Sequence, residues 1–239
     1  MRDKLRTAAL AAVLVGWSVA TPRIPMRWNP IPHAAFGTSV SLASGASHGL
    51  RPPELWTGLR WGSAVAAPVV LAVAAGTVIR PVRAGMAERT LPASAGHWLL
   101  LRIPVGTVWT EEVAYRAALG TAAKRAFGAP GGRLVAAAVF GLSHVPDARA
   151  AGESVPATVL VTAAAGWAFD WLYVKSGSLA APMLAHLAVN EAGAVGALAV
   201  QRSGASEATG YGGLGWINRR FGRGRRAGAV RWSGRRSRS

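Results

Sequence analysis

The chain has 239 residues, enough for one domain or one domain with tails. Hydrophobic residues make up 51% of it and charged residues 15%, which excludes a disordered or acidic solvating protein; a nucleic-acid binder would share the +17 charge but not this apolarity. With no cysteine, a disulfide framework, a thiolate zinc site and a thiol nucleophile are excluded as well.

Sparse, mostly positive charge on an apolar chain predicts a membrane protein with basic flanks. A bilayer-crossing helix needs roughly 20 mainly apolar residues. The first candidate runs over about 7–20, behind Arg2, Lys4 and Arg6. A positive start before an apolar run also fits a secretory signal peptide, with Ser18-Val19-Ala20 as a small-x-small cleavage site. Residues 21–60, rich in Pro, Ser, Gly and His, read as a long connection, partly re-entrant or interfacial. A second span is expected over about 62–79, ending at Arg80-Pro81. A third helical region begins near Ser94 and runs to about Phe127, with Pro104 as a point to kink or split it. The run Gly128-Ala129-Pro130-Gly131-Gly132 breaks it. Three further apolar helices are expected over about 133–144, 156–174 and 178–200. Trp61, Trp98, Trp109 and Trp171 fall near predicted span ends, as an aromatic belt would place them.

The fold class is therefore all-α: a polytopic membrane helical bundle of about six spans. Residues 201–239 carry ten Arg and nine Gly against one acidic residue, Glu207, and are read as a disordered basic tail. Both termini are basic, which favours placing both on the cytoplasmic side of the cell membrane. Beside membrane spans, the tail's expected partners are anionic lipid headgroups rather than nucleic acid.

Ionisable residues inside apolar segments cost about 2.5–3.5 kcal/mol on insertion scales, so they are candidates for function. Glu111, Glu112 and Arg116 share one helix; His144 ends another, four residues after Phe140; His186 and Asn190 lie in the last. Residues i and i+4 share a helix face, so Glu112 can pair with Arg116, which leaves Glu111 turned roughly 100° away. Asp170, beside Trp171, reads as a structural residue at a span end. A carboxylate, two imidazoles and an amide brought from three helices suit the activation of water and the binding of an oxyanion. Glu111, His144 and His186 would also suit a catalytic zinc, although the chain has no His-Glu-x-x-His run. Metal-free water activation, with no cofactor, is the favoured expectation.

The three motifs Glu111-Glu112-Val113-Ala114-Tyr115-Arg116, Phe140-Gly141-Leu142-Ser143-His144 and His186-Leu187-Ala188-Val189-Asn190 resemble those of the CPBP intramembrane proteases. That family includes the CAAX prenyl endopeptidases of the Rce type and the Abi bacteriocin-immunity proteins. The approach Ser176-Gly177-Ser178-Leu179-Ala180-Ala181-Pro182 is similar too. The resemblance covers about 94–200, dividing the chain into N-terminal helices and loops (1–93), a protease core (94–200) and the tail (201–239). It implies a membrane peptidase acting on a membrane-associated protein or peptide. It further implies Glu111 as catalytic carboxylate, His144 as its partner in activating water, and His186 and Asn190 as oxyanion ligands. Glu112 and Arg116, with Phe140, would support them. The competing class is a non-catalytic immunity or scaffolding protein that keeps the motifs as a polar packing core.

Overall fold

The computed structural model describes residues 1–25 and 27–218, and among them every regular element is helical, with no strand. Helix α1 is Arg2–Ala20, α2 is Pro30–Ser44, α3 is Glu54–Gly76 and α4 is Arg80–Glu88. A helix capped by Ser94, whose side chain accepts from the His97 amide, starts at Ala95–His97 and continues in π-helical form through Trp98–Trp109 and Glu112–Leu119; together these form α5. Then come α6 (Gly120–Leu142), α7 (Val145–Ala151), α8 (Val155–Ser176) and α9 (Ala180–Asn218).

Five stretches are long and apolar enough to cross a membrane, and the chain is an integral membrane protein. One of the five, Ala95–Ala151, is 57 residues long, far beyond the roughly 20 that a bilayer accommodates. It turns back on itself within α6. Gly128 leaves the helical region at φ 73°, and Gly132 packs so closely that a β-carbon there would lie 2.4 Å from the Lys124 backbone nitrogen. Among the described residues the candidate stretches number five, against the about six expected.

Several expectations shift in detail. The second span begins at Glu54, well before Gly62, with Pro53 as its N-cap and the Glu54 carboxylate in its first turn, where the helix dipole favours negative charge. The connection over 21–60 holds α2, too short to be among the membrane-crossing stretches, and it lies against α5. Gly37 makes that approach possible, since a β-carbon there would lie 2.7 Å from the Thr110 carbonyl oxygen. Pro104 does not split α5; the helix absorbs it in the wider i→i+5 form. Trp98 is buried against Ile103, Val108 and Ala194, and the half-buried Trp109 donates its indole N–H to Thr38 Oγ1 at 2.9 Å. Asp170 does not end a span. It is buried inside α8 and binds two cations of α6, Lys124 at 2.7 Å and Arg133 at 3.0 Å, one on each side of the Gly128 break. The expected tail starts within α9, where Gln201 donates to the Met86 and Arg89 carbonyls at the end of α4. Residues 219–239 lie outside the described residues.

Candidate active site

Small residues let the helices that carry the motifs converge. A β-carbon on Gly166 of α8 would come within 2.8 Å of the Phe140 ring, and one on Gly141 of α6 within 2.6 Å of the Val159 carbonyl. The close α6–α8 contact sets Phe140 at the centre of the site. Its ring meets Tyr115 at 5.0 Å, His144 at 4.7 Å and the Arg116 guanidinium at 4.1 Å.

Glu112 is fully buried and Arg116 is 1% exposed. They pair as the i,i+4 spacing implies, with Arg116 Nε 3.1 Å from Glu112 Oε2, though this contact is not aligned as a hydrogen bond. Arg116 Nη2 donates to Glu112 Oε1 at 3.4 Å. The same Oε1 lies 2.8 Å from His186 Nδ1. Since Arg116 keeps Glu112 as an accepting carboxylate, the proton in this contact sits on His186 Nδ1. The other ring nitrogen, Nε2, stands 3.8 Å from Glu111 Oε2, beyond hydrogen-bond length but in ion-pair range. His186 thus bridges the two adjacent glutamates. Its ring stacks on Phe169 at 5.0 Å and 25°, and Phe169 also lies 5.4 Å from the Arg116 guanidinium.

Glu111 differs from its neighbour. Its side chain is 23% exposed, and its Oε2 is buried without a hydrogen-bond partner among the described residues. The imidazole facing it is that of His186; among the described residues no ion pair joins Glu111 to His144. His144 is half-buried at the junction of α6 and α7, and its Nδ1 donates to the Phe140 carbonyl at 2.8 Å. A carbonyl only accepts, so Nδ1 carries the proton and Nε2 keeps its lone pair. Asn190 donates one amide hydrogen to the His186 carbonyl at 3.2 Å, and its second hydrogen is not used there. Ser143 donates to the Phe140 carbonyl at 2.8 Å.

Phe169 and Gly166 contribute contacts that the sequence does not signal: each is one more apolar or small residue in an apolar helix. Among the described residues no group of three or more His, Asp and Glu side chains converges as metal ligands.

Residues 93–192, which hold all three motifs, match the family model of the type II CAAX prenyl endopeptidase Rce1-like proteins. No curated protein and no solved structure matches the chain. The match agrees with the CPBP/CAAX resemblance, and at family level it is to a membrane endopeptidase.

Proposed function

We propose, from a core of CAAX-endopeptidase type set in a membrane bundle, that the protein hydrolyses a peptide bond of a membrane-associated or lipidated protein with water activated by side chains. The observation that carries this reading is the bridge Glu112–His186–Glu111, 2.8 Å on one side and 3.8 Å on the other, in an apolar surround. In this reading Glu111 is the base. It combines a buried, unpartnered oxygen with partial exposure, so it can meet both water and substrate. Glu111 takes the water proton and passes it to the leaving amine, while His144 Nε2, with its lone pair free, accepts a hydrogen bond from the same water and orients it.

His186 and Asn190 receive the developing oxyanion. In this reading the Nε2 edge of His186, whose Nδ1 is held from behind by Glu112, is the first donor to the oxyanion. The free Asn190 amide hydrogen is the second donor. No acyl-enzyme forms in this scheme. The protein would sit in the cell membrane, with its Arg-rich end attracted to anionic headgroups by about 1 kcal/mol per basic residue.

The test is cleavage by the purified protein of an S-farnesylated peptide ending in a cysteine and three apolar residues, beside membrane proteins trapped in the native host by Glu111→Ala. Cleavage by the wild type, lost in Glu111→Ala and in His144→Ala, is expected. Activity that disappears on chelation and returns with zinc would replace water activation by side chains with a metal scheme. No cleavage of either substrate class would leave the non-catalytic scaffold.

A further inference from the structure

The three motifs lie on α5, α6 and α9, and a segment that precedes the family match touches two of these helices at once. Helix α2 runs along α5 just before the first motif. Gly37 abuts the Thr110 carbonyl, and Thr38 Oγ1 accepts the Trp109 indole N–H at 2.9 Å. Beyond the end of α2 at Ser44, the loop 45–50 reaches the start of α9. There the His48 carbonyl accepts the Leu179 N–H at 2.9 Å. Gly49, at φ 58°, lies so close to Gly177 that a β-carbon would run into the Gly177 carbonyl. The Tyr173 hydroxyl of α8 donates to the Ser47 carbonyl. Ala46 and Leu50 pack on the buried cluster of Val113, Ala117 and Leu179.

A side-chain contact ties this loop back to α2. Ser41 is fully buried, and its Oγ stands 2.7 Å from Nε2 of the half-buried His48. Away from water, breaking such a bond leaves a polar group unpaired, so the pair holds α2 and the loop together as one body. We propose that Ser41 and His48 are positioning residues of the active site: their bond makes α2 and its loop a brace that fixes α9 against α5. The height of His186 between Glu111 and Glu112 is set by that brace. The catalytic part of this inference rests on the peptidase reading above.

The spacing along each helix supports it. Val113 and Ala117 directly follow Glu112 and Arg116 in α5, so the loop packs beside the first motif. Leu179 precedes His186 by seven positions, which on an α-helix is about two turns and returns to the same face. The loop therefore holds α9 by a residue in line with the imidazole, while its own base is fixed to α5. The bridge at the site tolerates little movement. His186 Nδ1 is 2.8 Å from Glu112 Oε1, and a displacement of about 1 Å along that contact takes it beyond hydrogen-bond length. Misplacement of that size costs up to about 100-fold in rate.

The experiment uses the full chain in nanodiscs with Ser41→Ala, His48→Ala and the conservative His48→Gln, whose amide can still bond the Ser41 hydroxyl. On the S-farnesylated peptide of the cleavage assay, both alanine variants should lose about 10- to 100-fold in kcat, with KM near the wild-type value. His48→Gln should recover most of that loss. The geometry is read separately by NMR of isotope-labelled histidine, in which the His186 Nδ1 signal is identified by its absence in His186→Asn. That signal should move in both alanine variants and return in His48→Gln. If the wild type cleaves nothing but the signal follows the Ser41–His48 bond, the brace stands and only the peptidase reading falls. An unmoved His186 signal in the folded alanine variants would overturn the positioning role, whatever happens to kcat. So would a loss of kcat that merely tracks the fraction of folded protein, or a His48→Gln no better than His48→Ala.

Discussion

Adjacent glutamates do different work because their surroundings differ. Glu112 is closed in by Arg116 and His186, whereas Glu111 keeps an unpartnered oxygen and a path to the outside. Glu112→Gln leaves the buried Arg116 without its counter-ion, and breaking such a pair typically costs about 3–5 kcal/mol. It should lower the unfolding midpoint in detergent clearly, while Glu111→Gln should leave that midpoint near the wild-type value and abolish turnover. Equal midpoints for the two variants would refute the division. Asn190→Ala should slow cleavage by on the order of 10²–10³ if its free amide hydrogen meets the oxyanion, read from kcat with insertion intact. Ser143 tests the route without a nucleophilic side chain. Its hydroxyl is committed to the Phe140 carbonyl, so Ser143→Ala should keep near-normal activity. Recovery of a covalent acyl adduct on any residue would defeat the water mechanism.

At the level of elements, the site depends on how closely α6 can lie against itself and against α8. Gly132 has no space for a β-carbon beside the Lys124 backbone, and backbone cannot yield as a flexible side chain can. Gly132→Ala should therefore cost about 1–3 kcal/mol as an overpacked contact, visible as earlier thermal unfolding. Gly166→Ala presses on the Phe140 ring, which touches His144 and the Arg116 guanidinium. Its effect should be larger on cleavage than on the unfolding midpoint; the reverse result would mean that Phe140 serves packing alone. The break at Gly128 was legible because Gly and Pro punctuate any helix, but the closeness of the two halves was not. Neither was the π-helical form of α5, since nothing in Trp98–Trp109 distinguishes an i→i+5 ladder from an α-helix around a proline.

For the whole molecule, two crossings by the 57-residue stretch would bring the five candidate stretches to an even number of crossings, which would put both ends on one side. Reporter fusions at the N- and C-termini should both give the cytoplasmic signal, in line with their basic flanks. A C-terminus on the opposite side would remove one crossing from α5 or α6.

The sequence by itself determined the class of molecule, through apolar run lengths that only a bilayer accommodates and through charges too few to solvate a soluble surface. It also made the Glu112–Arg116 pair legible, because four residues on one helix is a local relation. Tertiary structure alone decided which imidazole meets which glutamate. His186 stands between Glu111 and Glu112, while His144 turns its Nδ1 to the Phe140 carbonyl. It also decided that Asp170 clamps the two halves of α6 and that Phe169 carries the His186 ring. These are contacts between distant segments. They depend on where small residues let helices approach and on how the wider turn of α5 rotates its side chains, and neither quantity is written in the hydropathy pattern.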